Sequence, residues 1–151
     1  MNQNIGRFRL LLALSVAGLL FSGYLSSIRF FSDTCAFNEP CPYFLGSPAC
    51  YFGFVMFLIM TSAMIAHFAG TACLRATHRQ TSERVLRAML TVSGAGILFA
   101  GYFTLRELPR LFSEGISSYM LGLPTCAYGL IVYLAIFAIA LAAWRTRTAS
   151  S

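Results

Sequence analysis

The chain has 151 residues, of which 58% are hydrophobic and only 11% are charged. Soluble domains carry about a quarter charged residues, so the composition excludes an ordinary soluble domain and indicates a membrane protein. The net charge of +6 could suit a nucleic-acid binder, but the basic residues lie beside apolar stretches, and we expect no nucleic-acid partner.

Four uncharged stretches account for this composition, at residues 10–28, 50–74, 88–105 and 115–144. Each approaches or exceeds the roughly 20 residues that a helix needs to cross a bilayer core. Because backbone groups in lipid must hydrogen-bond internally, such runs are expected to be helices. The sequence therefore predicts an all-α membrane protein, a four-transmembrane-helix bundle in contact with membrane lipid.

The placement of the basic residues predicts the orientation of this bundle. Eight of the eleven lie before the first stretch, between the second and third, or after the fourth: Arg7, Arg9, Arg75, Arg79, Arg84, Arg87, Arg145 and Arg147. An excess of Lys and Arg in short loops marks the cytoplasmic side. We therefore expect cytoplasmic termini, extracytoplasmic cysteine-bearing loops and residence in a bacterial inner membrane.

The two halves of the chain repeat each other. Residues 43–53 (YFLGSPACYFG) return 76 positions later as YMLGLPTCAYG, with six of eleven positions identical. Residues 15–24 (SVAGLLFSGY) return 78 positions later as SGAGILFAGY, with seven of ten identical. This indicates a tandem duplication of a two-helix unit in a single membrane domain over residues 1–151, with repeat 1 at 8–74, a cytoplasmic link at 75–87 and repeat 2 at 88–145. Since the first helix is half of a repeat, we expect it to be retained rather than cleaved as a signal peptide.

Small residues recur at four-residue spacing in the odd-numbered helices, as Gly18 and Ser22 in the first and Gly96 and Ala100 in the third. This spacing lets helix backbones approach closely in lipid, and we expect a packing seam there. His67 lies within the second apolar stretch. An ionisable residue in a span is a functional candidate, although a lone histidine is more typical of a packed polar residue.

Four of the five cysteines are expected on the outer side. Cys35 and Cys41 lie in the first outer loop, Cys50 and Cys126 follow Pro48 and Pro124 by two residues, and Cys73 ends the second stretch. Thiols in an oxidising compartment tend to pair, and four cysteines allow three pairings. The repeat favours Cys35–Cys41 and Cys50–Cys126, because the latter two occupy equivalent helix starts. We expect no metal site, because the chain has no Cys-x-x-Cys and no histidine near these cysteines.

The residues alone leave two interpretations of these cysteines open. They could be static disulfide staples, or they could exchange disulfides. A helix N-terminus stabilises nearby negative charge, including that of a thiolate, which makes Cys50 and Cys126 candidates for redox chemistry.

The chain resembles the vitamin K epoxide reductase family of membrane thiol oxidoreductases. The resemblance lies in residues 18–26 (GLLFSGYLS), the loop with Cys35 and Cys41, and residues 45–54 (LGSPACYFGF), together with the four-helix layout. It implies a bundle that passes electrons from extracytoplasmic thiols toward a quinone, with Cys35 and Cys41 as the shuttle pair. Cys126 matches the second cysteine of that family's reactive Cys-x-x-Cys. Leu123 stands at the first position, so Cys50 would have to serve as the partner of Cys126.

The expected function is therefore a membrane thiol–disulfide oxidoreductase. Its catalytic residues would be Cys126, Cys50, Cys35 and Cys41, its electron acceptor a quinone and its electron donor an extracytoplasmic thiol protein. The alternative is a non-enzymatic, disulfide-stapled membrane protein, such as a transporter half or an assembly subunit, since tandem helix pairs are common in transporters.

Overall fold

The computed structural model describes residues 2–32, 43–44, 46–73, 78–114 and 125–148. These residues form helices α1 (Asn2–Ser32), α2 (Ala49–Cys73), α3 (His78–Glu114) and α4 (Thr125–Thr148), with a short antiparallel pair of strands, β1 (Tyr43–Phe44) and β2 (Ser47–Pro48), before α2. Each helix contains a segment that is long and apolar enough to cross a membrane. The predicted all-α, four-helix membrane architecture is confirmed.

The four helices form a ring in chain order. Each helix packs most closely against its partner within the same repeat, and the ring closes through α2 against α3 and α1 against α4. Helices α2 and α4 are therefore diagonal to each other, as are α1 and α3. Both α2 and α4 begin at one end of the bundle, here called the cysteine end.

The opposite end, here called the basic end, holds the start of α1 and the end of α4. Arg7 donates hydrogen bonds there to the carbonyl oxygen of Ala142 and to Oγ1 of Thr146, at 3.4 and 3.1 Å. The Arg87 guanidinium lies 5.4 Å from the centroid of the Trp144 ring and joins α3 to α4 at the same end.

Helix α3 begins earlier than the sequence predicted, at His78 rather than after the expected link at 75–87. Ser82, Leu86 and Met89 are fully buried, whereas Arg84 and Arg87 are exposed. This is the i, i+4, i+7 pattern of an amphipathic helix. Arg84 and Arg87 lie on the exposed side of a helix that begins before the apolar stretch, so the link between the two repeats is shorter than predicted.

Residues at equivalent positions of the two repeats are buried in the core. Leu11 and Met89 are equivalent under the 78-residue register, Met60 and Ile136 under the 76-residue register, and all four are fully buried. Ser15 and Ser93 are likewise equivalent and buried, and each donates a hydrogen bond to the carbonyl four residues earlier in its own helix. The two repeats therefore present matching faces to one shared core.

Two aromatic rings pack against the small residues of the predicted seam. An added Cβ at Gly18 would lie 2.2 Å from the Phe57 ring, and one at Gly96 would lie 2.6 Å from the Tyr133 ring. Phe57 and Tyr133 are themselves equivalent positions. In each repeat, therefore, the aromatic ring of the second helix packs against the glycine of the first helix.

Candidate functional site

A cavity of about 80 Å³ lies at the cysteine end, between all four helices. We call it the thiol cavity. Its lining residues come from α1 (Phe21, Ser22, Leu25), α2 (Ala49, Cys50, Gly53, Phe57), α3 (Phe99, Ala100) and α4 (Thr125, Cys126, Gly129, Tyr133).

The lining of the thiol cavity follows the internal repeat. Twelve of these residues form six pairs under the two registers: Phe21 with Phe99, Ser22 with Ala100, Ala49 with Thr125, Cys50 with Cys126, Gly53 with Gly129, and Phe57 with Tyr133. Leu25 is the remaining lining residue. The cavity therefore lies where the two repeats face each other, on the approximate two-fold axis of the bundle.

Both sequence-predicted helix-start cysteines line this cavity. Cys50 lies in the first turn of α2 and Cys126 in the first turn of α4, and both are half-buried. Because α2 and α4 are diagonal, the two cysteines approach the cavity from opposite corners of the bundle. Within the described residues, no disulfide joins Cys50 to Cys126.

The structure does not describe two of the remaining three cysteines, and it places the third far along α2 from the thiol cavity. Cys35 and Cys41 lie outside the described ranges, in the segment between α1 and β1. Cys73 is the last residue of α2, at the basic end. It is separated from Cys50 by 23 residues of helix, which corresponds to roughly 35 Å at 1.5 Å per residue.

Two stacked rings form the inner wall of the thiol cavity. The Phe57 and Tyr133 rings are parallel within 10°, with centroids 4.6 Å apart, and they are only 3% and 2% exposed. Each lies seven residues past its cysteine, or roughly 10 Å deeper along the helix. The stack closes the cavity toward the basic end and joins the diagonal helices α2 and α4 about a third of the way along each helix.

The polar atoms of the cavity are hydroxyl and thiol groups, and none of the described lining residues is charged. The Tyr133 hydroxyl donates a hydrogen bond to the carbonyl of Gly53 at 3.4 Å. Ser22 donates to the carbonyl of Gly18 at 2.7 Å. Outside the lining, Ser26 donates to the carbonyl of Cys50 at 3.3 Å and holds the start of α2 against α1. The thiol cavity thus places two thiols among apolar and hydroxyl-bearing side chains.

Most of this lining was not predicted from the sequence. The two cysteines were identified as site residues, but Phe21, Phe99, Phe57 and Tyr133 were not. The signal that could have found them is the repeat itself, since an aromatic residue is retained at both positions of each pair. His67, which the sequence offered as a candidate, lies near the basic end of α2, 4% exposed and stacked on Phe8 with ring centroids 4.8 Å apart.

Comparisons of the chain with protein-family models, with curated proteins and with solved structures found no match.

Proposed function

We propose that the protein is a membrane thiol–disulfide oxidoreductase that passes electrons from extracytoplasmic thiols toward a quinone. The observation that carries the proposal is that Cys50 and Cys126, from equivalent positions of the two repeats, line one apolar cavity. They replace the adjacent cysteine pair that the resemblance to the vitamin K epoxide reductase family implies. Two thiols in one cavity can exchange electrons as a pair, which a single thiol cannot do.

The proposed chemistry is a sequence of two-electron steps. A dithiol of the partner protein becomes a disulfide while a Cys35–Cys41 disulfide is reduced to two thiols. These thiols then reduce a Cys50–Cys126 disulfide, by thiolate attack through a mixed disulfide, and the loop disulfide re-forms. When Cys50 and Cys126 close their disulfide again, the two electrons and two protons pass to the quinone, which leaves as the quinol.

The flanking elements support the proposed role of Cys35 and Cys41 as the shuttle pair. In sequence, the two cysteines lie between the end of α1 at Ser32 and the start of β1 at Tyr43. Both of these described points belong to the cysteine end, where Cys50 and Cys126 line the cavity.

The charge distribution supports the proposed orientation. Among the described residues, the basic end carries Arg7, Arg9, Arg84, Arg87 and Arg145, with Glu83 as an acidic neighbour 4.0 Å from Arg87. The positive-inside rule then makes this end cytoplasmic. The cysteine end would face an oxidising compartment, such as the periplasm outside a bacterial inner membrane, where thiols are normally paired.

The lining also suits a quinone as electron acceptor. Aromatic and small apolar side chains surround the two thiols, and the Ser22, Thr125 and Tyr133 hydroxyls are the other polar groups of the described lining. Small-molecule sites are typically apolar with a few polar groups that fix orientation.

The test uses full-length protein in liposomes and follows the cysteines by alkylation and gel shift. A reduced dithiol substrate should convert the protein to its thiol form, and an added quinone should return it to the disulfide form while the substrate is oxidised. Cys126→Ser and Cys50→Ser should each abolish turnover. Cys73→Ser, which removes a thiol from the opposite end of α2, should leave it unchanged.

Two outcomes contradict the proposal. If Cys126→Ser oxidised the dithiol at the parental rate, Cys126 would not belong to the relay. If the disulfides responded to neither quinone nor substrate, they would be static staples, and the protein would be a non-enzymatic transporter half or assembly subunit.

A further inference from the structure

A second cavity, of about 440 Å³, lies between α1 and α4 and borders the thiol cavity. We call it the lateral cavity. Its lining residues come from α1 (Ala17, Gly18, Phe21), α2 (Phe57) and α4 (Tyr128, Gly129, Ile131, Val132). Ile131 is 56% exposed on the outer face of the bundle, so the lateral cavity extends to the surface that faces lipid.

The two cavities are adjacent and share part of their walls. Phe21, Phe57 and Gly129 line both of them. The thiol cavity, at about 80 Å³, is smaller than the roughly 150 Å³ that suffices for benzene in an engineered apolar cavity. The lateral cavity falls within the roughly 300–1,000 Å³ typical of ligand sites. A ring that reaches the thiols therefore needs the space between α1 and α4 as well.

The equivalent seam on the other side of the bundle, between α2 and α3, is packed with aromatic rings. The repeat pairs Phe21 and Tyr128 with Phe99 and Phe52. The Phe21 and Tyr128 centroids are 6.4 Å apart, whereas those of Phe99 and Phe52 are 5.6 Å apart. Phe44 adds a third ring that lies 5.3 Å from each of Phe52 and Phe99.

The strand pair before α2 determines the position of the Phe44 ring. Tyr43 pairs with Pro48 and Phe44 with Ser47, and Gly46 between the strands has φ of 80°, a conformation that glycine adopts without steric cost. Phe44 also contacts Phe103 at 6.2 Å and so bridges β1 to α3. Among the described residues, the rings of Phe44, Phe52, Phe99 and Phe103 pack together at the α2–α3 seam, whereas the lateral cavity lies at the α1–α4 seam.

We infer that the lateral cavity is the entrance from the bilayer through which the ring of a lipid-soluble quinone reaches Cys50 and Cys126, its hydrocarbon tail remaining between α1 and α4 in lipid. This inference rests on the proposed function, because it names the route and the ligand of the same site. The apolar lining disfavours a charged ligand, and the three wall residues shared with the thiol cavity place the ring beside the two thiols.

The test is photolabelling of the full-length protein in liposomes with an azido-quinone that carries an isoprenoid tail. Peptide mapping should place the label on α1 and α4, near Phe21 and Ile131. Excess unlabelled quinone should suppress the label, and excess isoprenoid alcohol of equal length should not. If the alcohol suppressed labelling equally, the lateral cavity would hold a lipid chain rather than a quinone ring, and the inference would be wrong.

A pair of equivalent substitutions tests the route. Ile131→Trp fills the lateral cavity, and Val55→Trp makes the same change at its repeat equivalent, which is 50% exposed and lies outside both cavities. We expect Ile131→Trp to reduce quinone labelling about tenfold, equivalent to about 1.4 kcal/mol of binding free energy, and Val55→Trp to leave it near the parental value. Thermal unfolding of both variants checks that each is folded.

Label on Phe44 and Phe52, equal loss in both tryptophan variants, or absence of specific label would each overturn the inference. Failure of the proposed function is distinguishable from these outcomes. If the label maps to α1 and α4 but quinone never re-forms the disulfide in the parental protein, the binding route stands and the oxidoreductase does not.

Discussion

Replacement of Gly18 by alanine tests the packing that forms the inner wall of the thiol cavity. The new Cβ would lie 2.2 Å from Cε1 of Phe57, whereas carbon atoms in contact are normally about 3.5–4.0 Å apart. The Phe57 ring is 3% exposed and stacks on Tyr133 with centroids 4.6 Å apart. The ring would have to move by more than about 1 Å, and the stack leaves it little room.

Two opposing terms set the size of the effect. Alanine is favoured over glycine inside a helix by about 1 kcal/mol, and overpacking a filled core costs about 1–3 kcal/mol. Gly18→Ala should therefore lower the free energy of unfolding by up to about 2 kcal/mol. At Gly129 an added Cβ meets nothing within 4 Å. Gly129→Ala should therefore gain only the higher helix propensity of alanine, and the free energies of unfolding of the two variants should differ by about 1–3 kcal/mol.

The assay is equilibrium unfolding of the purified protein in mixed micelles, with Gly129→Ala as the matched control. Phe57→Leu combined with Gly18→Ala should recover stability relative to the sum of the single changes, with a coupling above about 0.5 kcal/mol. The reasoning is refuted if Gly18→Ala is as stable as Gly129→Ala, or if the double variant shows no coupling.

Two further changes probe the walls of the cavities. Tyr133→Phe removes only the hydroxyl that donates to Gly53 at 3.4 Å and restores the ring type of the equivalent Phe57. It should change the free energy of unfolding by less than about 1.5 kcal/mol, and a larger loss in the same unfolding assay would show that the hydroxyl has a greater structural role. Phe44→Ala removes three ring contacts, each worth about 0.5–1.5 kcal/mol, and should lower the free energy of unfolding by about 1.5–4.5 kcal/mol. It should also let the azido-quinone label Phe52, and unchanged labelling of α1 and α4 alone would show that Phe44 does not close the α2–α3 seam.

The sequence predicted the helices well because helix formation in lipid is a local requirement. A long uncharged run must satisfy its own backbone hydrogen bonds, so the span lengths follow from the sequence alone. The starts at Ala49 and Thr125 follow directly after Pro48 and Pro124, a favoured arrangement at a helix start. The start of α3 was predicted too late, because its first turns carry Arg84 and Arg87 on the exposed side and the uncharged run begins only afterwards.

By itself, the sequence determined that this protein has four apolar helices in two matching pairs, with its basic residues concentrated at one end. The tertiary structure alone decided that Cys50 and Cys126 share a cavity, because that depends on how two hairpins rotate and pack against each other. Only the tertiary structure showed that the α2–α3 seam differs from the α1–α4 seam, although the helix residues at the two seams are nearly equivalent in sequence. The ring of Phe44 packs into one seam and not the other, since its position is set by a strand pair outside the helices.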